Sequence, residues 1–160
     1  TLVTHMSVAR NGAASIVLND NTLWVTGGYN GGYLASDRLA STDYVKMTGT
    51  MPGPDLPMAH DSHAMVAINN TCSMVIGGLS SGGDSASTFY FDHNEDEWTT
   101  GPSLMHVRHS PAAGIVTDNV TDENLVAVTG GRYNSALYLD STEILQDGDW
   151  VQGNINDVTV

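Results

Sequence analysis

The chain has 160 residues, of which 41% are hydrophobic, a content that supports one folded core and excludes a disordered or collagen-like chain. Eighteen Asp and Glu residues stand against five Lys and Arg residues, and the formal charge of -13 disfavours nucleic acid and anionic lipid surfaces as partners. No apolar run approaches the ~18 residues of a membrane-spanning helix. The single cysteine, Cys72, cannot form an internal disulfide.

The first third of the chain contains four short segments with the character of β-strands. They cover Ala13 to Leu18, Leu23 to Thr26, Ser41 to Lys46 and Met47 to Thr50. The segments are rich in residues that favour strands, such as Val, Thr, Tyr and Trp, whereas Gly, Asn and Asp, which favour turns, lie between them. We therefore predict one four-stranded unit in residues 10–50.

The same order of features returns twice, which predicts further units at about residues 60–100 and 108–152. Double glycines close a hydrophobic run at Gly27, Gly77 and Gly130, with spacings of 50 and 53 residues. Ser-Thr pairs open the next strand-like run at Ser41, Ser87 and Ser141. Tryptophan follows in the last two units, at Trp98 and Trp150. Landmarks that recur in one order at a fixed period indicate an internal repeat.

Four strands in every repeat predict an all-β fold with one antiparallel sheet per repeat. A single four-stranded sheet cannot cover both of its faces, so neighbouring sheets must stack. The chain resembles the kelch-repeat family, in which a hydrophobic run ends in two glycines and a later strand begins with Trp. The resemblance covers essentially all of residues 1–160 and implies three β-propeller blades, with 1–9 and 151–160 as inter-blade linkers. The first repeat departs from the pattern, because Thr50 stands where Trp is expected.

Three blades do not make a closed propeller, because closed propellers usually have about 4 to 8 blades. Two arrangements complete the ring. The chain is part of a longer propeller of about six blades, which we favour, or two copies of the chain form a ring of three plus three.

One end of the predicted blades is the candidate ligand-binding face. Arg10, His60 and Arg108 close the loops that enter each blade, and Arg132 follows Gly131 directly. Cations on one face of an acidic protein would favour a carboxylate-bearing ligand. The alternative is that arginines at this repeat position bind backbone or a neighbouring carboxylate. The remaining residues of the predicted face follow the double glycines and are Tyr29, Asn30, Tyr133 and Asn134.

Other motifs add little chemistry. His60 and His63, like His106 and His109, are three residues apart, which on a strand directs their side chains to opposite faces, so we expect no metal site. No cofactor motif is present. Two glycosylation sequons begin at Asn69 and Asn119, in predicted turns opposite the candidate ligand-binding face. Exposed sequons and an acidic composition favour an extracellular protein, with a cytoplasmic location as the alternative.

These observations predict a non-enzymatic scaffold for protein–protein interaction, because loops on a rigid β-scaffold commonly carry binding function. Its partners would be another protein and either the remaining blades of the propeller or a second copy of the chain. One alternative is a structural subunit of an extracellular or macromolecular assembly. Another is the propeller part of a secreted enzyme, such as a copper radical oxidase, whose catalytic residues lie outside this chain.

Overall fold

A computed structural model describes residues 4–32, 34–134 and 136–153. This part of the chain contains no α-helix, and a short 3-10 turn covers Ala35–Asp37. The prediction of an all-β fold is confirmed. The predicted connecting segments, 1–9 and 151–160, lie partly outside the described residues.

The described strands follow one another along the whole chain. In chain order they are β1 (Ala14–Val17), β2 (Leu23–Thr26), β3 (Thr42–Lys46), β4 (Gly49–Gly53), β5 (Ala64–Ala67), β6 (Cys72–Ile76), β7 (Leu79–Ser80), β8 (Gly83–Asp84), β9 (Thr88–Asp92), β10 (Glu97–Thr100), β11 (Ala112–Thr117), β12 (Asn124–Thr129), β13 (Arg132–Tyr133), β14 (Leu137–Tyr138), β15 (Thr142–Gln146) and β16 (Asp149–Gln152).

Each repeat forms one four-stranded antiparallel sheet, as predicted. The strand orders are β1-β2-β3-β4, β5-β6-β9-β10 and β11-β12-β15-β16. Two small ribbons, β7-β8 and β13-β14, lie in the connections between the second and third strands of the second and third sheets. These ribbons were not predicted, because strands of two residues carry no periodic pattern in the sequence.

In the first repeat the predicted boundaries of β1, β2 and β3 agree with the structure to within one residue, whereas those of β4 do not. The sequence predicts this strand at Met47 to Thr50, but it covers Gly49–Gly53. Met47 and Thr48 instead form a tight turn, after which Gly49 pairs with Lys46 at a φ of 149°. Glycine adopts such a positive φ without the steric penalty that Cβ imposes, so the glycine and not the methionine begins the strand.

Strand pairing confirms the alignment of the tryptophans. Trp98 pairs with Phe91 and Trp150 pairs with Leu145, while Thr50 occupies the matching position in the first sheet, opposite Val45. Trp98 packs against the core between the first and second sheets, and Trp150 belongs to the core between the second and third. The Trp150 indole N–H donates to the Pro102 carbonyl at 3.0 Å.

Two apolar layers hold the three sheets together. The layer between the first and second sheets contains Trp24, Leu56, Met65, Val75, Phe89 and Phe91. The layer between the second and third contains Ala64, Val66, Met74, Ile76, Leu104, Val126, Val128 and Trp150. The sheets therefore stack in chain order with the second in the middle, and over the described residues they do not close into a ring.

Candidate functional site: the loop face

One end of all three sheets is formed by two kinds of connection. These are the connections between second and third strands and the segments leading into first strands. Their described residues are 10–13, 27–32, 34–41, 60–63, 77–87, 108–111, 130–134 and 136–141. We call this end the loop face. Because the strands are antiparallel, the remaining tight turns lie at the opposite end of each sheet.

The double glycines let neighbouring repeats approach closely at the loop face. A Cβ on Gly77 would lie only 2.7 Å from the Arg108 carbonyl oxygen, and the residue has a φ of 63°. The next residue, Gly78, donates its N–H to the same carbonyl at 2.8 Å. Only glycine combines this positive φ with such close backbone contact, so the pair joins one repeat to the next.

A line of backbone hydrogen bonds crosses the loop face from repeat to repeat. Ser62 N–H donates to Gly12 O at 2.7 Å, and Ser110 N–H donates to Ser62 O at 2.6 Å. All three residues occupy equivalent positions with φ between 53° and 64°. The residues just before them, Asn11, Asp61 and His109, form β-bridges with Tyr29, Leu79 and Arg132.

An open pocket of about 310 Å³ lies on the loop face between the first and second repeats. It is lined by Asn11, Gly12, Tyr29, Leu34, Arg38, Asp61, Ser62 and Leu79. The lining combines an aromatic ring and two leucines with several polar groups, so it offers both apolar contact and hydrogen-bonding groups to a molecule that enters it.

Arg38 and Asp61 form the charged wall of this pocket. Arg38 Nε lies 2.8 Å from Asp61 Oδ2, and Ser62 Oγ donates to Asp61 Oδ1 at 2.8 Å. Both charged side chains are largely buried, so the pair holds its geometry better than an ion pair on an open surface. Neither residue was predicted from the sequence as part of a site. A signal existed, since Arg38 lies three residues before Ser41 and Asp61 follows His60, positions that recur in every repeat.

The next interface between repeats has a second polar pair at the equivalent positions. Asp84, three residues before Ser87, lies 2.5 Å from Nδ1 of His109. The other Asp84 oxygen accepts the Asn134 backbone N–H at 2.5 Å. This pair connects the second repeat to the loop of the third and holds the β13-β14 ribbon against β8. This contact was not predicted from the sequence either.

Arg10 and Arg108, predicted to contact a ligand, lie inside the molecule. Arg108 is 0% exposed and donates to Gly130 O at 2.7 Å and to Glu143 Oε1 at 2.7 Å. Arg10 binds the equivalent groups of the first repeat, Gly27 O at 2.8 Å and Asp43 Oδ2 at 2.9 Å. The geometry therefore matches the alternative of the sequence analysis, in which these arginines bind backbone and a carboxylate. A ligand would not reach either guanidinium without displacing the loops.

His60 takes the place of these arginines in the second repeat and is also fully buried. The residues around His60 differ from those around Arg10 and Arg108 at several positions at once. The carboxylate position is Phe89, whose ring centroid lies 5.9 Å from that of His60. The first and third repeats also donate a backbone N–H, from Ser7 and Met105, to their carboxylates, whereas the equivalent residue here is Pro57, which has none. The whole polar arrangement is replaced together in the second repeat.

His63 lies beside His60 in the interior between the first and second repeats. A 2.8 Å hydrogen bond joins its Nε2 to Thr26 Oγ1. Burial, with a smaller contribution from the charge of His60, lowers the pKa of His63 to about 3. Burial also lowers the pKa of His60. Both imidazoles are therefore neutral near pH 7, which suits two rings packed in a protein interior.

The other predicted residues do lie on the loop face. Tyr29 lines the pocket, and Asn30 beside it is exposed. Tyr133 and Asn134 are exposed on the β13-β14 ribbon, at the far side of the loop face from the pocket. Arg132 lies with its guanidinium carbon 5.1 Å from the Tyr138 ring centroid, a cation–π contact. The structure thus brings Tyr29 to the pocket, leaves Asn30 next to it in the chain but outside the lining, and keeps Arg132, Tyr133 and Asn134 apart from it.

Both sequons lie at the opposite end of the sheets, as predicted. Asn69 is exposed in the β5-β6 turn, where its side-chain oxygen accepts the Thr71 N–H at 2.9 Å. Asn119 is exposed in the β11-β12 turn. Among the described residues, His, Cys, Asp and Glu do not form a group of three or more that could hold a metal ion. The same residues contain no helix of the length and apolarity needed to cross a membrane.

No protein-family model matches the sequence, and a search of curated proteins found no significant match.

Proposed function

We propose that the protein is a protein-binding module made of three consecutive kelch-type blades of a β-propeller of about six, and that it binds its partner with the loop face. Two features support the architecture. Each repeat of about 50 residues forms one four-stranded antiparallel sheet, and the sheets stack in chain order. These are the features that the resemblance to kelch repeats implies for blades.

The pocket with its fixed Arg38–Asp61 pair is the observation that carries the binding proposal. The ion pair uses Nε of Arg38, and the terminal nitrogens of the guanidinium make no hydrogen bond to the described residues. They can donate to a carboxylate or a backbone carbonyl of a partner, and charge-assisted hydrogen bonds of this kind are strong. The Tyr29 ring and Leu34 supply apolar contact beside them. This chemistry recognises a peptide segment and requires no bond to be made or broken.

We also propose that the protein is extracellular. Asn69 and Asn119 are exposed and lie at the end of the sheets away from the loop face. Glycans attached there would leave the pocket accessible, so modification and binding are compatible on one molecule.

The test compares two cationic side chains at opposite ends of the first sheet. A partner captured by a photo-crosslinker at Asn30 is purified and titrated against Arg38→Ala and Lys46→Ala. Lys46 forms an exposed ion pair with Asp20 at the end away from the pocket. Arg38→Ala should weaken binding at least tenfold, since hydrogen bonds to charged groups contribute about 1.5–3 kcal/mol. Lys46→Ala should leave the affinity within about twofold. Equal effects of both substitutions would contradict binding at this pocket.

A further inference from the structure

The two interfaces between repeats are built from the same backbone hydrogen bonds. At the first, Gly28 N–H donates to His60 O, His60 N–H to Leu39 O, and Leu56 N–H to Ala40 O, at 2.8, 3.3 and 2.8 Å. The second interface has the same three bonds. Gly78 N–H donates to Arg108 O at 2.8 Å, Arg108 N–H donates to Ser85 O at 3.1 Å, and Leu104 N–H donates to Ala86 O at 2.9 Å. At each interface, the glycine N–H and two carbonyl groups of one repeat form the first half-set. They bond to a carbonyl and two N–H groups of the next repeat, which form the complementary half-set.

The third repeat carries the first half-set in the same conformation. Gly131 has a φ of 94°, close to 102° at Gly28, and its carbonyl accepts the Leu139 N–H at 3.0 Å, as Gly28 O accepts Leu39 N–H. Its N–H and the carbonyls of Leu139 and Asp140 form no backbone hydrogen bond with other described residues. Space is also left beside Gly130, where a Cβ would meet nothing nearer than 3.7 Å.

The first repeat carries the complementary half-set. Met6 and Arg10 occupy the positions of Leu56 and His60, and the Arg10 side chain is already clamped on Gly27 O. Their backbone N–H groups make no hydrogen bond within the described residues. Met6 is 39% exposed, whereas the equivalent Leu56 and Leu104 are 4% and 5% exposed under a neighbouring repeat.

The outer faces of the first and third sheets both carry apolar side chains. On the third sheet, Ala127 is half-buried and Thr129 exposed, although the equivalent Met74 and Ile76 of the second sheet are fully covered. The same face of the third sheet carries Val116, Leu125, Ile144 and Val151. On the first sheet, the face turned away from the second carries Val17, Leu23 and Val45.

We propose that these two ends bind each other between two copies of the chain, so that the third sheet of each copy packs on the first sheet of its partner. Both halves of the interface are present on one chain. In the six-bladed arrangement proposed above, two copies would satisfy both ends and close as a two-fold dimer, whereas a different rotation from sheet to sheet would give an open polymer. The proposal rests on the propeller architecture proposed above, but it does not depend on binding at the pocket. Tyr138 occupies the repeat position held by Arg38 and Asp84 in the other repeats. In the dimer it would lie beside Asn11 of the partner subunit on the loop face.

Analytical ultracentrifugation with two charge substitutions tests this dimer. The unmodified chain should sediment with twice the mass of 16.9 kDa. Met6→Asp and Ala127→Arg, one at each end, should each raise the dissociation constant more than about tenfold, because each buries an unpaired charge. Val120→Arg, in the exposed β11-β12 turn, is the matched control and should remain dimeric. Circular dichroism checks that each variant keeps its β-structure.

Mixing the Met6→Asp and Ala127→Arg variants gives a second test of the same interface. In the mixed dimer one interface is unmodified and the other combines Met6→Asp of one copy with Ala127→Arg of its partner. The two introduced charges have opposite signs, so a dimer should reappear. A monomeric unmodified chain at tens of micromolar, open-ended polymers, or an Ala127→Arg variant as dimeric as the control would each overturn the proposal. Loss of the dimer with normal discrimination between Arg38→Ala and Lys46→Ala in partner binding would overturn this inference alone.

Discussion

Replacing Arg108 with Ala is expected to lower the free energy of unfolding by about 3–5 kcal/mol, the usual effect of removing one partner of a buried ion pair. Arg108 is fully buried, and its guanidinium bonds Gly130 O, Ser141 O, Ser141 Oγ and Glu143. The substitution leaves Glu143, which is 1% exposed, as a buried charge whose remaining hydrogen-bond donors are the Met105 and His106 backbone N–H groups. The His106 imidazole nitrogen lies 3.4 Å from the same carboxylate.

Urea unfolding followed by circular dichroism measures this effect, and Lys46→Ala provides the control. Lys46 and Asp20 form an exposed ion pair, with side chains 43% and 58% exposed, so its loss should cost roughly 0–1 kcal/mol. A loss below about 1 kcal/mol for Arg108→Ala would refute the reasoning, because the guanidinium would then not hold the third repeat together.

The second repeat supplies a rescue of the same site. Converting Met105, Arg108 and Glu143 to Pro, His and Phe copies the residues found at Pro57, His60 and Phe89. The triple variant removes the buried charge together with its partners. It should therefore be more stable than the sum of the single effects of Met105→Pro, Arg108→His and Glu143→Phe predicts. Additive losses would indicate that the three positions are not coupled.

Three further predictions concern other parts of the molecule. The unfolded chain binds a proton at His63 with a pKa near 6.5 and the folded chain only near 3, so unfolding takes up a proton between these values. The free energy of unfolding should therefore fall as the pH drops below about 6.5, by up to ~1.4 kcal/mol per pH unit. His63→Gln should reduce the pH dependence of the urea midpoint between pH 4 and 6.5. The same pH dependence in this variant would contradict the burial of a neutral imidazole. Gly77→Ala should destabilise the protein more than Gly148→Ala. Both glycines have a positive φ, but only a Cβ on Gly77 would contact backbone, at 2.7 Å from Arg108 O. Equal melting temperatures of the two variants would count against this close approach. Expression through a eukaryotic secretory pathway should add glycan mass at Asn69, removed by Asn69→Gln, and a secreted protein without glycan there would argue against use of this sequon.

The repeats and sheets could be predicted because their signals are local. The double glycines, the Ser-Thr pairs and Trp98 or Trp150 each act within a few residues, and their order identifies every strand of the three sheets. Even the departure at Thr50 is visible as a missing Trp.

The site depends on contacts between residues that are far apart in the chain. Whether Arg108 faces solvent or the interior is decided by Glu143, 35 residues later, and no local pattern reveals that pairing. The Arg38–Asp61 and Asp84–His109 contacts join different repeats with different residues in each, so alignment of the repeats marks the positions but not their chemistry.

Hydrogen–deuterium exchange of the protein alone and with its partner tests most directly whether the loop face is the binding surface. We expect slower exchange in the complex for the residues that surround the pocket, which are 27–32, 34–39, 61–62 and 79–84. The turns at the opposite end, residues 19–22, 69–71 and 118–123, should exchange at the same rate with and without the partner. Protection confined to those turns, with an unchanged rate around the pocket, would contradict this expectation.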